Sequence, residues 1–486
     1  MIFNSVTFLL FLATTVALYW VLPRRARLWM LFLSSLTFYG FWRVEFVPVM
    51  LLSAVTDYLV SLRIAASDDA RRRKALLYLS LGVNLGLLFF FKYLLFFADN
   101  AVALVNLAGV EADPVLWRII LPLGISFYTF QTISYTVDVY RGFIEPERDF
   151  VLYGCYVTFF PQLVAGPVLR AREVIPQLSE RPAFRADDLA VGLRRVLYGL
   201  FLKVVLADNL SPLVDAGYSV DAAALSALDV WTLAFLFGLQ IYFDFSAYSH
   251  IAIGAARLMG IVFPENFAFP YAATSPRDFW KRWHISLSSW IRDYVYLPIA
   301  GIPVRDRSTG GLAAAVDQPP QAKLTRALFL TWAIMGLWHG AAWTFVLWGV
   351  YHAVFVYVYR RLGPLLERVP TSARAIGGWA ITLPFAMLSW VAFRAEGLGT
   401  TFEMYGRVLT PSAYGALGLS PNLYLTAALL TAATLVAYLT ATYLLPKLRR
   451  GPTVVWASLE TAAYGVAIAL VFVFLRPITQ FIYFQF

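Results

Sequence analysis

The chain has 486 residues, of which 60% are hydrophobic, 17% aromatic and only 14% charged. Soluble domains carry roughly 25% charged residues, so this composition excludes an ordinary soluble protein and points to an α-helical membrane protein that crosses the bilayer several times. The net charge of +10 does not form a nucleic-acid surface. The basic residues sit in short clusters between apolar runs (Arg24-Arg25-Arg27, Arg71 to Lys74, Arg360-Arg361 with Arg368, Lys447-Arg449-Arg450), as cytoplasmic loops do.

A lipid-spanning helix needs about 20 mostly apolar residues, because its backbone groups must all bond within the segment. On that basis the sequence predicts roughly eleven spans, some short or broken, together with re-entrant or amphipathic helices. The first, Val6–Leu22, lacks a basic segment before it and a small-residue cleavage site after it, so it is read as a retained span and not a signal peptide. The basic cluster behind it places the N-terminus outside and residues 23–27 inside. Leu28–Trp42 and Phe46–Leu62 form a hairpin, and Ala75–Phe97 follows with Asn84 and Lys92 inside it. Residues 98–118 read as an outer loop with a short helix. In Ile119–Val139, Pro122 and Gly124 break the helix, and a face of Ser, Thr, Tyr and Gln turns toward protein or a water-filled cavity. Phe150–Val168, with Pro161, Gln162, Gly166 and Pro167 close together, reads as bent or re-entrant.

Leu169–Arg195 reads as a polar amphipathic segment. Ala190–Val205, Trp231–Phe245 and Ala252–Val262 follow as separate apolar runs. Asp244 or Ser246 serves as a helix-start cap. Residues 302–326 form a loop, and Leu328–Tyr357 is a long apolar region interrupted at Gly340. Ala375–Phe393, Leu423–Leu445 and Thr453–Leu475 complete the set, with the C-terminus outside. No internal repeat is visible, so the chain is read as a single membrane domain, 1–486, with a core at about 119–360.

Charge-bearing side chains converge on Arg277–Pro298, which carries Arg277, Asp278, Lys281, Arg282 and His284 among aromatic residues. A second segment, Gly336–Gly340, sets His339 between Trp338 and small residues, 55 residues after His284. The chain has only four histidines, and an ionisable group in a membrane segment is a functional candidate. A lone imidazole without a thiol or a carboxylate pair suits general-base activation of a hydroxyl. If 277–292 is helical, Arg277, Lys281, His284 and Ser288 share one stripe suited to an anionic, phosphate-bearing donor. His352 lies on the far side of a continuous helix from His339 and is structural. The lone Cys155 excludes an internal disulfide, and the spread of the histidines gives no zinc pattern, so no metal is expected.

Six motifs, in order, carry a resemblance: PLGISFYTFQTISYTVDVYRG (122–142), FFPQLVAGP (159–167), YFDFSAYS (242–249), FWKRWHISLSSWIRDYVYLP (279–298), GLWHGAAWTFVLWGVYHA (336–353) and FIYFQF (481–486). Together they resemble the membrane-bound O-acyltransferase family, in its branch that acetylates alginate and other bacterial polysaccharides. The resemblance implies a helical bundle with a central funnel or tunnel and catalytic positions at His339 and His284. It implies acetyl-CoA as a donor substrate with no bound cofactor, a polysaccharide acceptor outside the cell, an extracytoplasmic acetylesterase-like partner protein, and a site in the bacterial inner membrane. The donor's phosphates are expected at Arg277, Lys281 and Arg282, with Trp283, Ser288 and Trp338 lining the site, His339 as base and His284 steadying the donor or developing charge. Where relatives commonly read Tyr-Ser-Asp, this chain has Tyr248-Ser249-His250. D-alanyl transfer to a cell-wall polymer, or a transporter using His339 as a proton relay, are the alternatives.

Overall fold

The computed structural model describes residues 1, 3–113, 116–180, 182–304, 319–448 and 453–475. Among these residues every regular element is helical. Six helices are long and apolar enough to cross a membrane: Val44–Ala65, Ala70–Leu107, Ala227–Leu258, Thr371–Arg394, Pro421–Leu448 and Val454–Phe474. Other apolar segments are shorter, such as Val6–Val21, or carry the polar faces that set them among protein. The motif at 481–486 lies outside the described residues.

Two compact units emerge. The first holds the chain up to Val196 together with Ile251–Pro264. Its helices are α1 (Val6–Val21), α2 (Arg24–Gly40), α3 (Val47–Ala65), α4 (Ala70–Leu88), α5 (Leu94–Leu107), α6 (Ile125–Tyr140), α7 (Phe150–Thr158), α8 (Ala171–Ser179) and most of α9 (Ala186–Leu200). The short helix expected within 98–118 is the end of α5, which runs to Leu107 because the apolar run of α4 continues into it through a π-helical turn. Helix α6 begins directly after Gly124, which takes a left-handed conformation at φ 72°. A Cβ there would lie 2.4 Å from the carbonyl oxygen of Leu163, so glycine is needed both for the turn and for the close approach.

That approach is to the re-entrant element expected at 150–168. Helix α7 ends at Thr158, and residues 159–170 turn back wholly buried. Gln162 Nε2 donates to Tyr156 O at 2.7 Å, which satisfies a carbonyl the broken helix leaves open. Elsewhere in this unit α3, α4 and α6 bury a carboxylate. Asp57 accepts from Ser80, from Asn84 Nδ2 at 2.7 Å and from Thr136 Oγ1 at 3.0 Å. A buried carboxylate is tolerable only with such donors, and it locks the three helices in register.

The second unit holds Leu197–His250, Glu265–Val304 and the described residues from 319 onward. Its helices are α10 (Asp208–Tyr218), α11 (Ala227–Leu258, which runs on into the first unit's residues), α12 (Pro276–Arg282), α13 (Ile285–Ile291), α14 (Leu297–Ala300), α15 (Gln321–His339), α16 (Trp343–Leu366), α17 (Thr371–Arg394), α18 (Leu398–Leu409), α19 (Pro421–Leu439), α20 (Leu445–Leu448) and α21 (Thr453–Phe474). The runs read as separate at 231–245 and 252–262 are joined in one helix, α11, which ends at Leu258. Asp244 and Ser246 therefore do not cap a helix start. They stand mid-helix, where Asp244 receives the buried Lys203 ammonium at 2.5 Å, and Lys203 also reaches Asp208 at 2.9 Å. The pairing explains how an acid survives inside an apolar helix.

The interruption expected at Gly340 is present: α15 stops at His339 and α16 begins at Trp343. The two helices pack at backbone contact. A Cβ on Gly336 would lie 2.1 Å from Phe345 O, and one on Gly349 would lie 2.1 Å from Trp332 O. This hairpin places the C-terminal end of α15, and with it His339, against the aromatic residues of α16 and α17.

Candidate active site

The segment 277–292 is not one helix. It breaks between α12 and α13, where His284 adopts φ 42° and ψ 56°. The expected stripe of Arg277, Lys281, His284 and Ser288 is therefore interrupted. The cause lies upstream, at Asn266. Its backbone oxygen accepts from Ile285 N at 2.9 Å, and its side-chain oxygen accepts from Ser286 Oγ at 2.9 Å and Ser286 N at 3.3 Å. The same oxygen lies 3.2 Å from His284 Nδ1, while Asn266 Nδ2 donates to Ser249 Oγ at 3.0 Å. A left-handed non-glycine residue costs of order 1 kcal/mol or more and persists only where its surroundings hold it. Here a fully buried asparagine does so.

This clamp fixes the chemistry of His284. An acceptor at Nδ1 requires the proton there, so Nε2 carries the lone pair. Nε2 is buried and has no hydrogen-bond partner among the described residues. In this tautomer it accepts a hydrogen bond and cannot donate one to a developing negative charge. The ring lies edge-on to Phe245, with centroids 4.6 Å apart, and 6.5 Å from the ring of Trp338.

His284 lies outside the six apolar spans, and burial drives its pKa from the usual 6.5 down to about 3. The folded chain thus holds a neutral imidazole, whereas the unfolded chain protonates it below about 6.5. The stability this contributes is complete above pH 6.5 and drains away as pH falls toward 3, by about 1.4 kcal/mol per pH unit. The expected result is that His284→Asn, which tolerates the left-handed backbone, shows a flatter fall in thermal midpoint than wild type between pH 6.5 and 5. Equal slopes would contradict this. Replacing the clamp, Asn266→Ala, strips His284 Nδ1 and Ser286 of their acceptor; a destabilisation of about 1–3 kcal/mol is expected in thermal unfolding.

His339 closes α15 and is packed by Trp338 and Trp348, each with ring centroid 4.9 Å away, and by Phe393 at 5.3 Å. The two imidazoles therefore meet one shared wall, the indole of Trp338. His352 is not on a continuous helix with His339, because the chain breaks at 340–342, and it touches the same Trp348 at 4.9 Å. It is nonetheless committed: Ser389 Oγ donates to Ala386 O at 2.6 Å and is approached by His352 Nε2 at 3.1 Å, so Nε2 donates. His352 is enclosed by Phe279, Trp280 and Trp332. His250 rests on Tyr198, with centroids 4.7 Å apart.

The remaining candidates fall in different surroundings. Trp283 is buried, stacked on Phe279 at 5.8 Å and against Trp390 at 4.8 Å. Ser288 Oγ donates to Trp283 O at 3.3 Å, bridging the break. Arg282 is held by Asp278 at 2.9 Å and by Ala268 O at 3.2 Å, while Lys281 is exposed beside it. Arg277, one turn earlier, borders a cavity with Arg360 and Arg374. The sequence reading missed Asn266, whose side-chain partners His284 and Ser286 lie 18 and 20 residues further on.

The structure thus sets two buried imidazoles near one indole in a helical membrane fold, and comparison with known families supplies the class. Residues 147–398 match MBOAT, the membrane-bound O-acyltransferase family. The chain belongs to this family and is an O-acyltransferase. It is 38% identical over 413 residues to the "Probable alginate O-acetylase AlgI" of Azotobacter vinelandii, covering 84% of this chain and 78% of that protein. It is 34% identical over 408 residues to the "Peptidoglycan O-acetyltransferase" of Helicobacter pylori, covering 79% and 73%. A shorter match, 29% over 250 residues, covers 49% of this chain and 58% of the "Teichoic acid D-alanyltransferase" of Bacillus subtilis.

Proposed function

We propose that this chain moves an acetyl group from a cytoplasmic thioester, acetyl-CoA, to hydroxyl groups of an extracytoplasmic polysaccharide, through an acetylesterase-like partner protein. The observation that carries the reading is the placement of His339 and His284 against one indole, Trp338. The O-acetylating relatives supply the acyl group and the kind of acceptor for this reading.

In this mechanism His339 takes the proton of an incoming hydroxyl as the oxygen attacks the thioester carbonyl. The carbon–sulfur bond breaks, and the thiolate leaves with the proton that His339 gives up. His284 Nε2, a fixed acceptor, holds an N–H or O–H of a substrate and orients it. The donor's anionic end docks beside Lys281 and Arg282, which close α12 next to Trp283 and His284. The transfer runs through a funnel in a bundle of about eleven helices in the bacterial inner membrane, both termini outside.

The partial match to D-alanyltransferases favours one second reading, D-alanyl transfer to a cell-wall polymer. Purified chain in vesicles, supplied with labelled acetyl-CoA or with a D-alanyl carrier-protein thioester, separates them. Label leaving acetyl-CoA to a hydroxyl acceptor is the expected result. Transfer of D-alanine alone moves the reading to the second, and transfer from neither contradicts both.

A further inference from the structure

A groove of about 780 Å³ runs along α16 toward α17 and α18 and is almost wholly apolar, with Leu347, Val354, Val358, Leu362, Ile381 and Phe385 among its walls. Its stretch of α16, Leu347 to Leu366, is about 28 Å long at 1.5 Å per residue, close to the ~30 Å of the bilayer hydrocarbon. At one end it joins a cavity of about 350 Å³, sharing Tyr359, Leu366 and Arg374 with it. That cavity is lined by Arg277, Arg360 and Arg374 from three helices, against a single acid, Glu367. None of these four side chains makes an ion pair among the described residues, and Arg360 Nε is buried without a hydrogen-bond partner.

Three guanidinium groups brought together unpaired carry a charge cost that an anion relieves, and guanidinium matches phosphate oxygens two at a time. The apolar groove opening from the same cavity calls for a long hydrocarbon chain on that anion. We propose that this is a binding site for an anionic phospholipid, its phosphate among Arg277, Arg360 and Arg374 and an acyl chain along α16. Basic pockets at the ends of membrane helices take phosphate headgroups in this way. The proposal is independent of the acyl-transfer mechanism.

The test uses the full chain purified in mild detergent, with lipid retention read by native mass spectrometry. The probes are dioleoyl phosphatidylglycerol and dioleoyl phosphatidylcholine, which share their chains. Wild type is expected to retain the anionic lipid in preference, and the double variant Arg360→Gln/Arg374→Gln to retain about tenfold less or lower still. Arg361→Gln, whose guanidinium lies over the Tyr357 ring outside the cavity, is expected to match wild type. Gly377→Leu fills the groove from a position with nothing within 4 Å of its Cβ, so it is expected to fold and to weaken retention of both lipids. Equal retention by wild type and the arginine variant overturns the proposal. So does full displacement of the lipid by millimolar inorganic phosphate or acetyl-CoA, which would make the cavity a simple anion site or a donor site.

Discussion

Replacement of His339 by alanine is expected to lower acyl transfer by about 10²–10⁴-fold, the usual worth of a positioned general base. The side chain leaves a pocket bounded by Trp338, Trp348 and Phe393, so the scaffold should persist, and the purified variant should keep its thermal midpoint within a few degrees of wild type. His284→Ala is expected to lose activity as well. In the proposed mechanism both imidazoles serve one substrate, so the double variant should be little worse than His339→Ala alone, as groups acting as a unit are non-additive. Losses that multiplied in full would place the two imidazoles in separate events. Near-normal transfer by His339→Ala would remove it from the chemistry.

The second large effect is expected at a residue with no chemistry of its own. Gly336 lies one turn before His339, and its missing side chain lets α15 touch the backbone of α16, where a Cβ would lie 2.1 Å from Phe345 O and 2.9 Å from its carbonyl carbon. A carbonyl cannot rotate aside as a flexible side chain does. Gly336→Val must therefore part the two helices, at a cost of about 3 kcal/mol or more. It should lower the thermal midpoint and transfer together, since the same displacement moves His339 off its aromatic wall. Gly82→Ala, with nothing within 4 Å of its Cβ, should be neutral or slightly stabilising, as alanine is the better helix former. A Gly336→Val protein with wild-type stability would show that the close approach is not what holds the hairpin.

Much of this arrangement could be read along the chain. Glycine and proline marked the break at Gly340, the turn before α6 and the buried non-helical stretch at 159–167, because each needs a local backbone freedom or restriction that only those residues supply. What escaped reading was set by side chains distant in sequence. Asn266 reaches 18 residues forward to break the helix at His284, so periodicity alone ran α12 into α13. Lys203 neutralises Asp244 across 41 residues, so a mid-helix acid was taken for a cap. The cavity lined by Arg277, Arg360 and Arg374 draws on three helices, and no single stretch announces it. His339 and His284 stand out in the sequence because ionisable groups are rare in such a chain. The tautomer of His284, and with it the loss of its assigned role toward negative charge, required the geometry.

The measurement that bears most directly on the function is single-turnover transfer of labelled acetyl from acetyl-CoA to a hydroxyl acceptor. It would use the reconstituted chain with an acetylesterase-like partner, and compare wild type with His339→Ala and His352→Ala. His352 is the apt control, since it is buried, touches the same Trp348 and already donates to Ser389. The expected result is rapid transfer by wild type and His352→Ala and almost none by His339→Ala, with all three equally folded. Equal transfer by all three, or equal loss in both variants, would contradict the assignment of the proton acceptor to His339.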